Sequence, residues 1–215
     1  MEIYNTEEEQ VEALKRWWKA NGTSVISGIV LGLAIIGGWS YWQSHQEQKA
    51  NQGSAMFQQL MTAVEEKKPD VIEKISEQLS EKSGSTTYSY LALLFQAKTK
   101  VQKNDLAGAK DILNNVRNSA ESELKHLATI RLIRLMLATG EYEQGLQIIS
   151  EMETQASESF TASYEELKGD LYVALNRLGV AKTAYQNAVR SGHPSPLLQT
   201  KLDDIASPEI TENVE

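Results

Sequence analysis

The stretch GDLYVALNRLGVAKTAYQNAV, residues 169–189, places small residues at helical spacing from large apolar ones. Gly169 and Ala181 are small, Tyr185 is large, and the triplet at 176–178 is typical of a turn. Small residues let two helix backbones approach closely, and large residues fill the space beside the crossing. The stretch therefore predicts two antiparallel helices joined by a short turn.

The same arrangement recurs every 36 residues, with turn-like triplets that begin at Asn104, Gly140 and Asn176. One helix pair cannot bury its own apolar stripe, so successive pairs are expected to stack. Counted from each triplet, the matching positions are Ala97, Ile133 and Gly169 before it, then Ala109, Gly145 and Ala181, then Leu113, Ile149 and Tyr185, then Val116, Met152 and Ala188 after it.

These residues resemble the tetratricopeptide repeat. Ile133 stands where that repeat usually has a small residue, and the interval is longer than the standard one, so we expect somewhat altered superhelical geometry. Together with the N-terminal uncharged stretch described below, these residues predict an all-α fold, with one N-terminal transmembrane helix followed by a tetratricopeptide-like α-solenoid of stacked helical hairpins. The signature positions are occupied by Gly169, Tyr172, Ala181, Tyr185 and Ala188.

The segments on either side extend the stack. Apolar residues at helical spacing over 56–64 and a helix that Pro69 can start predict a degenerate first pair. Residues 83–87 form a joint, residues 197–205 cap the far end, and residues 207–215 are expected to be disordered.

The stretch SVISGIVLGLAIIGGWSYW, residues 24–42, carries no charge, and all four tryptophans flank its aliphatic part, Trp17 and Trp18 before it and Trp39 and Trp42 after it. Trp18 and Trp39 are about 31 Å apart along a helix, close to the thickness of a bilayer core. A buried core helix does not need apolar residues on every side, and a cleavable signal peptide has a shorter core and a small-residue cleavage site. We therefore predict an uncleaved signal anchor.

Basic residues predict the orientation of this anchor. Lys15, Arg16 and Lys19 precede it and only Lys49 follows closely, so the positive-inside rule keeps the N-terminus in the cytoplasm. The predicted location is the bacterial inner membrane, crossed once. The predicted domains are a cytoplasmic acidic tail over 1–20, the anchor over 21–45, a periplasmic tetratricopeptide-like domain over 46–206, and the tail over 207–215.

Ser24, Gly28 and Gly32 recur every four residues along the anchor. Such a small-residue stripe allows another transmembrane helix to pack closely, although glycine is also simply common in membrane spans. Both interpretations stay open.

The sequence contains no recognisable catalytic, cofactor-binding or metal-binding motif, and we predict no enzyme and no cofactor. It has no cysteine, and its three histidines are far apart, so each is expected to be an ordinary surface or capping residue. A net charge of −8 argues against nucleic-acid binding. An enzyme with a site assembled across repeats stays a less favoured alternative.

What remains is a concave surface for an extended peptide or a partner helix. In tetratricopeptide-like stacks the first helix of each pair lines the inner face. Apolar and charged residues alternate there, although each could instead simply pack or face solvent. The residues predicted on this face are Leu94, Lys98, Ile130, Arg134, Glu166 and Asp170.

The N-terminal block VEALKRWWKANGTSVISGIVLGLAIIGGWSYW, residues 11–42, together with the repeats, resembles the YfgM family of ancillary subunits of the bacterial SecYEG translocon. The resemblance implies a non-enzymatic membrane protein that associates with SecYEG and with the chaperone PpiD, and that assists translocating, unfolded polypeptides. It also implies restraint of the Rcs response regulator. A membrane-anchored scaffold for cell-envelope assembly, unrelated to the translocon, is the alternative.

Overall fold

The computed structural model describes residues 7–153, 158–192 and 195–206 of the chain. Within these ranges the ordered elements are helices and no strand occurs, which confirms the all-α class. The predicted tail over 207–215 and the first six residues lie outside the described ranges. The helices are α1 (Glu7–Glu65), α2 (Pro69–Ser83), α3 (Thr87–Gln102), α4 (Leu106–Ser119), α5 (Ser122–Thr139), α6 (Tyr142–Glu153), α7 (Glu158–Ala174), α8 (Leu178–Arg190) and α9 (Pro196–Ala206).

The chain divides into two compact units, Met1–Asn51 and Gln52–Glu215. In the first unit, α1 exposes its apolar side chains; Leu33 and Ile36, for example, are 65% and 66% exposed. Among the described residues, Glu9–Glu65 is the one helix long and apolar enough, by length and composition, to cross a membrane. A helix that is apolar on all sides and unburied suits contact with lipid, as a membrane anchor requires.

Aromatic rings lie together at both ends of this apolar stretch. The ring centroids of Trp17 and Trp18 are 6.5 Å apart, and those of Trp39 and Trp42 are 5.5 Å apart. Tryptophan is enriched at the two interfaces of a bilayer, so these pairs suit the two ends of a span.

In the second unit, α2 to α9 pack each against the next along the chain, α3 also contacts α5, and α5 also contacts α7. The first helices of successive pairs thus touch one another, as in a tetratricopeptide-like stack. The main core is made from α3 to α7, and its most deeply buried large residues include Leu132, Ile133, Ile149, Tyr164 and Leu171.

The three predicted turns have the same backbone geometry. Asn104, Gly140 and Asn176 have φ angles of 61°, 82° and 55°, in the left-handed region that glycine and asparagine tolerate best. In each turn an amide donates to the carbonyl five residues earlier, which satisfies the end of the first helix. These bonds join Asp105 to Lys100, Glu141 to Met136, and Arg177 to Tyr172, at 2.8 to 2.9 Å.

The unusual Ile133 is accommodated by a glycine on the next helix. Ile133 is fully buried, and it lies opposite Gly145 on α6. A Cβ on Gly145 would stand 3.1 Å from Leu171 and 3.7 Å from Ile133, so little room remains there. In this repeat, the larger side chain of the facing pair therefore lies on the first helix, and the residue without a side chain lies on the second.

The second compact unit has a separate apolar cluster at each end of its helical stack. At the start, Leu60 and Ala63 of α1 pack with Ile72 and Leu79 of α2 and with Ala92 of α3. The bounds of the two helices confirm the predicted helical segments over 56–64, which is the end of α1, and from Pro69, where α2 begins. At the far end, α9 covers the predicted segment 197–205, and the residues packed there are Ala181, Tyr185, Ala188, Leu198 and Ile205.

Candidate partner-binding surfaces

The six residues predicted for the concave surface fall into three environments. Leu94 and Ile130 are 2% and 5% exposed, so they contribute mainly to the core rather than to a free surface. Lys98 and Arg134 are exposed to solvent. Glu166 and Asp170, at the equivalent positions of the third pair, are half-buried and belong to an internal cluster.

Lys201 of α9 pairs with both of these carboxylates. Its Nζ donates to Glu166 Oε1 and to Asp170 Oδ2, each at 2.8 Å. Burial is the largest influence and lowers the pKa of Lys201, but the bonds to Asp170 and Glu166 together raise that pKa above its ordinary value. Sequence reasoning missed Lys201 because α9 reaches these acids only in the folded stack.

Tyr185 joins the same cluster from α8. Its hydroxyl donates to Asp170 Oδ1 at 2.7 Å, and the Lys201 ammonium lies 5.8 Å from the centre of its ring. Burial, followed by the hydrogen bond to Asp170, raises the pKa of Tyr185. The acidic end of the predicted surface is therefore already satisfied by internal partners.

A cavity of about 330 Å³ opens between α3 and α5, at the cationic end of the predicted surface. Its lining is mostly apolar, and two cations border it. The residues are Leu94, Ala97, Val101, Leu113 and Leu135, with Lys98 and Arg131.

The two cations at this cavity have no acidic partner among the described residues. Lys98 and Arg131 form no ion pair there, and neither does Arg134 nearby; the Arg131 guanidinium donates to the carbonyl of Leu94 at 3.3 Å. Partial burial, followed by the neighbouring Arg134, lowers the pKa of Arg131. These cations can therefore still bind the carboxylate of a partner.

Elsewhere on the stack, charges pair with each other between successive second helices and their turns. Arg117 of α4 lies 2.6 Å from Glu151 of α6, and Lys110 of α4 pairs with Glu141. Arg177 reaches another acid of α6, Glu143, at 2.6 Å. Salt bridges that solvent can reach contribute little stability, but these three occupy Lys110, Arg117 and Arg177.

The prediction that every histidine is a surface or capping residue is wrong for His126. Its side chain is 5% exposed, its Nδ1 lies 2.9 Å from the Tyr164 hydroxyl, and its ring stacks on Phe160 at 4.8 Å. Burial raises the pKa of Tyr164 to about 12. His45 is exposed, and His193 lies outside the described residues.

Within the described ranges, no group of three or more His, Cys, Asp or Glu side chains could hold a metal ion. In the anchor, a Cβ on Gly28 or Gly32 would meet no atom within 4 Å outside its own helix. Gly28 and Gly32 of the stripe thus face no atom of another described helix at that distance.

The helix pairs stack with their first helices in contact, and each turn contains a residue with a left-handed backbone conformation. This arrangement defines a helical repeat scaffold of the tetratricopeptide-like class. The family model of the tetratricopeptide repeat-like domain matches residues 15–207. An ancillary SecYEG translocon subunit of Haemophilus influenzae is 32% identical over 88% of this chain and 92% of that protein, and one of Escherichia coli is 30% identical over 96% and 100%. This chain therefore belongs to the family of ancillary SecYEG translocon subunits.

Two solved structures are similar in fold. The MamA RS-1 ArsTM double mutant has a TM-score of 0.58 at 14% identity, covering 71% of this chain and 82% of that one. MamA 41-end from Desulfovibrio magneticus RS-1 has a TM-score of 0.55 at 13% identity, covering 75% and 92%. At such identities the likeness describes the fold alone.

Proposed function

We propose that this chain is a non-enzymatic ancillary subunit of the SecYEG translocon in the bacterial inner membrane. The observation that carries the proposal is the match to relatives of that name over almost the whole chain, through the anchor segment and the repeats alike. The exposed apolar helix supports membrane insertion, and Lys15, Arg16 and Lys19 support a cytoplasmic N-terminus. The repeat domain would then lie in the periplasm.

The proposed mechanism is tethering. An anchor beside the channel raises the effective concentration of the repeat domain around emerging chains, so weak contacts suffice. The partners proposed for this domain are the chaperone PpiD and the unfolded polypeptides themselves. The acidic leader over 1–20 remains in the cytoplasm, where restraint of the Rcs response regulator would take place.

The stripe of Ser24, Gly28 and Gly32 is the proposed contact with the channel. It supports close helix packing because it carries no bulk and has no described neighbour outside its helix. A photo-crosslinking residue at position 28 or 32 should give adducts with SecY, whereas the same residue at Leu31 should give fewer. Absence of adducts with every channel subunit would count against translocon association.

Topology is tested separately with protease. In spheroplasts, external protease should digest residues from about 46 onward and leave the leader protected. If it spares the repeat domain until the cells are lysed, the periplasmic location is wrong. Affinity purification in mild detergent should recover SecYEG and PpiD together with the chain.

A further inference from the structure

The cavity between α3 and α5 has counterparts in the next two repeats, and there the chain fills the space itself. We number the repeats from the pair α3 and α4, so the second is α5 and α6 and the third is α7 and α8. In the second repeat, the fully buried Ile133 stands at the position of Ala97. In the third, Tyr185 stands at the position of Leu113, and its ring covers Gly169. Only small Ala97 and the shorter Leu113 occupy these positions in the first repeat, beside the cavity of about 330 Å³.

The charges follow the same comparison. At the position of Lys98, the third repeat has Asp170, which receives bonds from Tyr185 and Lys201. Lys98 and the nearby Arg131 receive no carboxylate from any described residue. In the third repeat, the Tyr185 side chain fills the space and Asp170 is paired with Lys201. In the first repeat, the space is open and its two cations have no carboxylate from a described residue.

We propose that this cavity binds a short polypeptide segment in which a carboxylate lies next to an aliphatic or aromatic side chain. The apolar side chain enters the space that Ile133 and Tyr185 fill in the later repeats. The carboxylate meets Lys98 and Arg131, and arginine can hold it with two parallel hydrogen bonds. The volume lies at the small end of ligand cavities, which suits one or two side chains.

This inference rests on the proposed function and deepens it, because it states the chemistry of the polypeptide that the repeat domain holds. A buried apolar anchor beside an arginine is the arrangement that usually dominates binding energy at protein interfaces. The two cations at the cavity add selectivity, because Lys98 and Arg131 attract an acidic segment and repel a basic one.

The test uses the full-length chain in nanodiscs of neutral lipid and a fluorescein-labelled peptide that alternates leucine and glutamate. Fluorescence anisotropy should detect saturable binding. Replacing the glutamates with glutamine should weaken that binding about tenfold, as loss of a hydrogen bond to a charged group predicts. Equal binding of both peptides would overturn the assignment.

Variants of the protein locate the peptide. Ala97→Ile, which copies the second repeat, and Lys98→Glu should each weaken binding about tenfold or more. Arg131→Gln provides a further test if Ala97→Ile alters thermal unfolding. The matched control is Lys182→Glu on α8, an exposed lysine with no ion pair to described residues, and it should leave binding unchanged.

Three results would overturn the inference. The first is unchanged binding of the peptide to the Ala97, Lys98 and Arg131 variants. The second is displacement of the peptide by octanoate at a lower concentration than by unlabelled peptide, and the third is a tenfold gain in peptide affinity when the chain is truncated after Ala206. The second would indicate a fatty-acid site and the third a site for the chain's own tail. If these occur while SecY crosslinks persist, only the cavity assignment fails. If crosslinks are absent but the peptide binds at Lys98, only the translocon assignment fails.

Discussion

The ring of Tyr185 occupies the space that a Cβ on Gly169 would need, and its hydroxyl donates to Asp170, the residue next to that glycine. One side chain thus fixes the distance between α7 and α8 and satisfies a half-buried carboxylate.

We expect Gly169→Ala to lower the free energy of unfolding by about 1–3 kcal/mol, because the added methyl group forces the Tyr185 ring to move. Thermal denaturation of the full-length chain in detergent, followed by circular dichroism, measures the change. Gly179→Ala is the control, since a Cβ there meets no atom within 4 Å. It should be neutral or stabilise by up to about 1 kcal/mol. Equal behaviour of the two variants would contradict the packing argument.

Truncation of Ile133 should leave a hole in the main core. Ile133→Ala is expected to cost about 2–5 kcal/mol, because the side chain is fully buried and Gly145 opposite it cannot fill the space. Val180→Ala, at a side chain that is 49% exposed, should change stability by less than about 0.5 kcal/mol. Urea unfolding measures both, and a similar small effect at the two sites would count against the compensation between Ile133 and Gly145.

Lys201 gives the fold a pH dependence of known sign. Its folded pKa lies above the ordinary value of 10.5, so its stabilisation is fully present below that value and is lost as the pH rises through the folded pKa. At pH 8, Lys201→Met should cost about 1–2 kcal/mol, from the lost bonds to Glu166 and Asp170. Lys182→Met serves as the control.

The measurement is the difference in unfolding midpoint between Lys201→Met and the parent chain at several pH values. That difference should shrink above pH 10.5. A constant difference from pH 8 to the alkaline limit would mean that the methylene stem of Lys201, rather than its charge, stabilises α9.

The left-handed turns should respond to their backbone angle. Gly140→Ala is expected to cost about 1–2 kcal/mol, because alanine is strained at a φ of 82°. Asn176→Gly should stay within about 1 kcal/mol of the parent chain, since glycine adopts this conformation readily. Chemical denaturation compares the two, and the turn argument fails if both substitutions have the same effect.

The sequence predicted the stack because its main signal is local and repeated. Asn104, Gly140 and Asn176 share one interval, and a turn that needs a left-handed residue can be recognised from glycine and asparagine alone. The helix near Pro69 and the final helix were predicted for similar reasons, since proline and helical periodicity act over a few residues.

The candidate surface was predicted less well, because it depends on contacts between distant helices. Leu94 and Ile130 were expected on an open face, yet each first helix packs on two sides and buries them. Glu166 and Asp170 looked available because nothing in the sequence places Lys201 beside them. The burial of His126 depends on Tyr164 and Phe160, two helices further along, and so escaped detection.

Turns that repeat at one interval also make the scaffold modular. A second copy of residues 105–140 inserted after Gly140 would begin and end at the same helical phase, so the elements that follow would keep their register. Gene duplication or design could therefore lengthen this stack by whole units, which makes the length of its surface an adjustable property of the architecture.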